Sequence, residues 1–299
     1  MQVSVIGVGQ MGGAIAKRLV AVGYRPVVAY DVDPEKVNKL AIIGVTAAAS
    51  VEEAAADSDV VLTMVPNDAA LEEVTLGPKG ILETLPPDGI HVGMSTVSPR
   101  ISRELAELYC EAGKTYLAAT VIGRPDRAQA GKLGVFVAGQ PAAKRRVAGI
   151  LEHLSASIAD LGPKPELANA AKLVANDHIA GTLVNLGQSA ALAGACGVRP
   201  GEVFRLLRDC GAFGGATWLT YSLAAATHNH RTALFPAKLA QKDLDLIGDL
   251  AEVVGLRLPM TELARDLLEA AIANGKGRQD WSVVMEELAD QCRKAAQPA

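Results

Sequence analysis

Short apolar runs rich in β-branched residues recur through the first half of the chain, each followed by a turn and then by helical spacing. Val3-Ser4-Val5-Ile6, Val27–Tyr30, Val60–Val65, Ile90–Met94, Tyr116-Leu117-Ala118 and Val135–Ala138 read as strands. Ala14 to Ala21, ending at Gly23, and the stretch from Ser98-Pro99 past Cys110 toward Gly113 read as helices. Strands alternating with helices predict a parallel sheet covered by helices. The composition shifts near Gly162-Pro163, and from Pro165 a helical pattern runs without a break signal to Gly197. Gly181, Gly187 and Gly194 inside it lower helix propensity, which predicts compensating close packing against another helix. Beyond it only helices are predicted: Pro236 starts one that Gly255 stops, and Pro259 starts another capped at Asn274-Gly275. The expected fold is an α/β domain over residues 1–162 and an all-α domain over 163–299, joined by a long interdomain helix.

The first strand runs straight into Gly7-Val8-Gly9-Gln10-Met11-Gly12, and the second stops at Asp31. Each residue has a mechanical task in holding a dinucleotide. Gly7 permits the tight turn, Gly9 lets backbone approach a pyrophosphate, and Gly12 lets helix and strand pack closely. The helix start, with Gln10 and Met11, offers N–H groups and a positive dipole to phosphate. Asp31 can accept hydrogen bonds from ribose hydroxyls. A glycine turn alone is weak evidence, but strand, glycines, helix, strand and acid stand here in the order of a Rossmann dinucleotide-binding domain.

Composition narrows the remaining classes. With 299 residues, 49% of them hydrophobic and 21% charged, the chain can bury a sizeable core. A net charge of −4 gives no general attraction to nucleic acid or anionic membranes. Lys144-Arg145-Arg146 reads as a solvated helix face. Cys110, Cys196, Cys210 and Cys292 lack metal or disulfide spacing, which fits reduced thiols. No apolar stretch reaches the roughly eighteen residues of a membrane span, and the apolar start is a first strand rather than a signal peptide. A cytoplasmic protein with a small-molecule substrate, and with neither nucleic acid nor membrane as partner, is expected.

Ligands of an open α/β sheet bind beyond the carboxyl ends of its strands. That rule selects Val65-Pro66-Asn67-Asp68, Ser95-Thr96-Val97 and the stretch from Thr120 to Arg124. Pro66 and Ser98-Pro99 also serve simply to end a strand and begin a helix. Asn169, Lys172 and Asn176 stand at i, i+3 and i+7 and project from one helix face, with apolar Leu173, Val174 and Ile179 as neighbours. A lysine hemmed in this way loses hydration, its pKa falls, and it becomes a proton donor and acceptor. Spacing alone equally allows a lysine snorkelling along the helix. Lys242 beside Asp243 reads as a solvated ion pair. His228-Asn229-His230 reads as surface loop, since no matched carboxylate or cysteine makes a metal site. Phe213, Trp218 and Tyr221 read as core or pocket wall.

Taken together, the glycine turn, Met64-Val65-Pro66-Asn67-Asp68, Met94–Pro99, Gly123 to Leu133, the Lys172/Asn176 helix and Lys242-Asp243 resemble the β-hydroxyacid dehydrogenase superfamily over essentially the whole chain. The superfamily includes 3-hydroxyisobutyrate dehydrogenases, semialdehyde reductases and imine reductases. The resemblance implies an NAD(P)-dependent dehydrogenase or reductase in which Lys172 is the general acid/base and Asn176 orients the substrate. It implies that Thr96 stands beside the nicotinamide and its ribose, and that Lys242 closes over the cofactor. It also implies a homo-oligomer, dimer or tetramer, because family members bury such helices against a partner subunit.

One stretch departs from the pattern. Where the hydroxyacid dehydrogenases carry an Asp-Ala-Pro-Val-Ser-Gly-Gly type of motif for the substrate carboxylate, this chain has Ala118-Ala119-Thr120-Val121-Ile122-Gly123-Arg124. Ile122 replaces the serine and cannot donate a hydrogen bond. Arg124 either binds the carboxylate with two parallel bonds or faces solvent, leaving a site for less polar substrates. The leading expectation is hydride transfer to or from a small 3-hydroxy acid or semialdehyde. An imine reductase is the alternative, and a non-catalytic dinucleotide-binding module carries the least weight. Family users of NADP typically place Asn-Arg-Thr or Asn-Arg-Ser after the second strand. Asp31-Val32-Asp33 instead opposes a 2′-phosphate, so NAD is expected over NADP, and no metal.

Overall fold

A computed structural model describes residues 1–175, 192–211 and 255–295, with isolated positions between 229 and 252. Asn176, Phe213, Trp218, Tyr221, His228, Lys242 and Asp243 lie outside the described residues. The chain divides into two compact units, Met1–His178 and Ile179–Ala299.

The first unit runs β1 Val3–Ile6, α1 Gln10–Ala21, β2 Val27–Tyr30, α2 Pro34–Ala41, β3 Val45–Ala47, α3 Val51–Ala55, β4 Val60–Thr63 and α4 Asp68–Leu76. It continues through α5 Ile81–Thr84, β5 Ile90–Gly93, α6 Pro99–Glu111, β6 Thr115–Ile122, α7 Pro125–Gln129, β7 Leu133–Ala138, α8 Pro141–Leu154 and β8 Ser155–Asp160. A further helix, α9, is described over residues 166–175. The strands form one sheet in the order β3-β2-β1-β4-β5-β6-β7-β8. All neighbours are parallel except β6 and β7.

Central strands are buried on both faces, which is why they read as continuous apolar runs. Val3 and Val5 pack with Ile15 and Leu19 of α1 and Val147 and Leu151 of α8. Ile6 packs on the other side with Leu71 of α4, Ile81 of α5 and Leu105 of α6. Ser4, the polar member of β1, is fully buried and donates to the Ala54 carbonyl at 2.6 Å. Helix starts follow their caps: the Asn67 side chain accepts from the Ala70 amide at 2.9 Å, and Ser98 accepts from Ile101 at 3.2 Å ahead of Pro99.

Several expectations need correction. The edge strands β3 and β8 carry no apolar run: β3 buries only Val45, and β8 is exposed over five of its six residues. Strand β6 extends far beyond Tyr116-Leu117-Ala118, and it pairs antiparallel with β7, whose Val135–Ala138 run was expected in a parallel sheet. Lys144 is not a solvated residue; its side chain is 13% exposed and bonds Asp160 and the Gly162 carbonyl, while Arg146 donates to the Asp88 carbonyl at 2.7 Å. Gly194 is exposed, and among the described residues nothing lies within 4 Å of a Cβ placed on it, while Gly181 and Gly187 lie outside the described residues.

Between β5 and α6 the ring of His91 is fully buried. Its Nε2 lies 2.9 Å from the Thr63 hydroxyl and its Nδ1 lies 2.8 Å from the Tyr109 hydroxyl. Burial pushes its pKa down to about 3. The unfolded chain therefore takes up a proton near pH 6.5 that the folded chain refuses until about pH 3. Stability is present above pH 6.5 and falls as pH drops, at up to about 1.4 kcal/mol per pH unit. Urea unfolding at pH 7 and pH 5 checks this. His91→Gln is expected to flatten the slope, and an unchanged slope would remove His91 as its source.

In the second unit the described residues include the helices α10 Pro200–Asp209, α11 Pro259–Ala271 and α12 Val283–Ala295. Ala237, Ala240, Leu268, Ala271 and Val283 form a small core. Gly275, at φ 80, turns the chain after α11, as its sequence position predicts. His230, expected in a surface loop, is buried and meets the Ser282 hydroxyl at 2.8 Å. Among the described residues no helix is long and apolar enough to cross a membrane.

Candidate active site

Strands β2 and β3 lie on one side of β1 and strand β4 on the other, so the connections diverge at the carboxyl ends of β1 and β4. Such a switch point opens a crevice. Here it is a cleft of about 870 Å³ lined by Gly7, Gly9–Gly12, Tyr30, Asp31, Lys36, Met64, Val65, Pro66 and one face of α4. Gly7 has φ 89, where a side chain would be strained, and a Cβ on it would fall 2.5 Å from the Met64 carbonyl oxygen. A Cβ on Gly12 would fall 1.9 Å from the Gly7 carbonyl oxygen. Gly9 differs: nothing lies within 4 Å of its missing Cβ, so that space is open to a ligand. Gly9 also stands at the N-cap of α1 without a side-chain cap, and the first turn holds no acid. The opening amides are thus free to meet phosphate oxygens.

Asp31 is held from three directions. Its side chain is only 8% exposed; Oδ2 accepts from the Val8 amide at 2.9 Å, and Oδ1 accepts from the Asp33 amide at 3.0 Å and from Lys36 Nζ at 3.1 Å. The second strand end is thereby wired to the glycine turn. Lys36 had no motif to mark it; only its place on α2, five residues after the acid, could have pointed to it.

The loops after β4 and β5 are fastened together. The Val65 amide donates to the buried Ser95 hydroxyl at 2.8 Å, and the Asp68 carboxylate accepts from the amide and hydroxyl of Ser98. The Asn67 oxygen is occupied by its cap, and Thr96 is exposed at this edge.

At the end of β6, Thr120 is fully buried and donates to the Ala168 carbonyl at 2.8 Å, which docks α9 onto the sheet. Ile122 is half-buried beside Gly134. Gly123 has φ 139, and a Cβ there would strike Leu133 at 2.7 Å. The Arg124 side chain is 83% exposed and, among the described residues, pairs only with Asp126, at 3.4 Å. On α9, Ala168 and Asn169 are buried and Lys172 is half-buried on the same side, with Pro165 buried just ahead of the helix. Leu173 and Val174, expected to hem in the lysine, are instead exposed. Burial lowers the Lys172 pKa. The Asn169 oxygen is buried and has no hydrogen-bond partner among the described residues. The glycine loop, Asp31, Val65 and Pro66 therefore share one cleft, with Ser95 bonded at its wall; Lys172 and Arg124 do not line it.

A doubly wound sheet whose glycine cradle fits phosphate and whose buried acid fits ribose defines a nicotinamide-dependent oxidoreductase. Residues 2–162 match the NAD-binding domain of 6-phosphogluconate dehydrogenase, and residues 167–288 match the NAD-binding domain of NADP-dependent 3-hydroxyisobutyrate dehydrogenase. An uncharacterized oxidoreductase of Bacillus subtilis is 34% identical, covering 96% of this chain and 99% of the relative. The 2-(hydroxymethyl)glutarate dehydrogenase of Eubacterium barkeri is 28% identical, covering 96% and 94%. The fold is shared with a Myxococcus stipitatus imine reductase variant in complex with NAD+, at a TM-score of 0.84 and 18% identity, covering 96% and 99%. The chain belongs to the β-hydroxyacid dehydrogenase superfamily.

Proposed function

We propose that this enzyme moves hydride between NAD(H) and the carbinol or carbonyl carbon of a small 3-hydroxy acid or its semialdehyde, with Lys172 as the proton partner. The observation that carries the reading is Lys172 itself, a half-buried lysine whose pKa burial lowers, on a helix fastened to the end of β6. A bound nicotinamide supplies or accepts the hydride. In reduction the Lys172 ammonium gives a proton to the carbonyl oxygen; in oxidation the neutral amine takes it from the hydroxyl. Asn176, four residues further along the sequence, orients that oxygen. The Arg124 guanidinium, 83% exposed and paired with Asp126, is available to a substrate carboxylate. The Eubacterium relative's name describes a substrate that bears carboxylates. Leu173 and Val174, exposed on α9, offer apolar area for a second copy of the chain to cover, which supports a homo-oligomer.

Asp31 supports NAD over NADP, because its carboxylate would face a 2′-phosphate. Lys36, 3.1 Å away, offsets part of that repulsion, so the preference is a ratio rather than an exclusion. Ile122 favours a second reading, reduction of a C=N bond in a less polar substrate. Turnover of 3-hydroxyisobutyrate, glycerate, succinic semialdehyde, glyoxylate and a cyclic imine, followed through nicotinamide absorbance, tests both. Turnover of an acid or semialdehyde, with kcat/KM about tenfold higher for the NAD couple, is expected. Turnover of the imine alone would transfer the assignment to the second reading, and a clear preference for NADPH would overturn the cofactor choice.

A further inference from the structure

The outer wall of the cleft is one face of α4. Ala69, Ala70, Glu73 and Val74 line it at i, i+1, i+4 and i+5. The two alanines leave a flat, apolar slot, and Tyr30 and Val32 line the same cleft. Three lining residues carry a charge: Asp31, Lys36 and Glu73. Asp31 and Lys36 bond each other. The Glu73 carboxylate has no hydrogen bond or ion pair among the described residues, and it stands one helical turn beyond the alanines, away from the strand end.

A purine base fits a slot of this kind by its apolar faces and leaves its edge to be read at the rim. A carboxylate is an acceptor only. It matches the exocyclic amine of adenine, which donates, and opposes the carbonyl oxygen that hypoxanthine carries at the same place. We propose that Glu73 is the residue by which this cleft reads adenine, accepting a hydrogen bond from the exocyclic amine of the cofactor. The inference rests on the adenosine half of the cofactor lying in this cleft.

The experiment is a calorimetric titration of the ligand-free enzyme with NADH and with its hypoxanthine analogue. Wild type binds NADH about fivefold to tenfold more tightly, the size of a charge-assisted hydrogen bond discounted for solvent exposure. Glu73→Ala and Glu73→Gln bring the ratio close to one, the first because no group remains, the second because an amide can accept or donate. Equal binding of both dinucleotides by wild type, or a ratio that survives both substitutions, overturns the role of Glu73. Gly12→Val tests the underlying placement separately. A Cβ there invades the glycine cradle, so NADH binding that survives it moves the cofactor out of this cleft, whatever Glu73 does.

Discussion

Lys172→Ala is expected to lower kcat/KM by about 10²–10⁴-fold, the usual contribution of a placed general acid or base. The dissociation constant of NADH should stay within about twofold, because the dinucleotide cleft is built from other residues. The reasoning begins with burial. Lys172 lies on the side of α9 that also carries the buried Ala168 and Asn169. There its charged form loses hydration, and the pKa falls from the ordinary lysine value. Reduction needs the ammonium, so its rate should fall as pH rises through the lowered pKa. Oxidation needs the amine, so its rate should rise over the same range. Lys172→Arg keeps the charge but holds its proton too tightly to exchange it, and should be nearly as inactive. Undiminished turnover by Lys172→Ala, with the pH profiles of both directions unmoved, would remove Lys172 from the chemistry.

Gly12→Val is expected to abolish NADH binding at millimolar concentration and to destabilise the fold by about 1–3 kcal/mol. At 1.9 Å from the Gly7 oxygen, even a methyl group requires the turn or α1 to shift, and valine adds two more carbons. Destabilisation and lost binding must be told apart, and Gly9→Ala does so. Nothing lies within 4 Å of that Cβ and the backbone there is extended, so the melting temperature should hold while NADH binding weakens about tenfold. Melting curves and calorimetry on both variants check the pair. If Gly9→Ala binds NADH as wild type does, the pyrophosphate does not pass over this turn.

Much of this architecture can be read in the chain before any coordinates. The order from Val3 through the glycine turn to Asp31 states the first β-α-β unit almost residue by residue, because each part is dictated by local geometry. The edge strands could not be read, since Thr46, Ala47 and most of Ser155–Asp160 face solvent and carry no apolar period. The Lys172 face followed from helical spacing, yet Leu173 and Val174 were assigned to it by proximity in sequence. Steps of about 100° per residue carry them to the other side. Thr120 stands at a strand end, where ligand contacts gather, but its hydroxyl serves the Ala168 carbonyl. Lys36 and Glu73 carried no motif because a cleft selects them; Lys36 meets an acid only five residues away, whereas Glu73 faces a cleft whose glycine turn is distant in sequence.

The bond from the Val8 amide to Asp31 ties two traits that selection would otherwise tune separately. On the proposed reading, the carboxylate that sets the cofactor preference is also a strut of the glycine turn. A lineage drifting toward the phosphorylated dinucleotide cannot simply discard Asp31, since that change unbinds the loop before any new preference is gained. Asparagine retains an acceptor oxygen for Val8 without the charge, which makes it the accessible intermediate. Cofactor choice in this chain should therefore be conservative over evolutionary time and resistant to single-residue redesign.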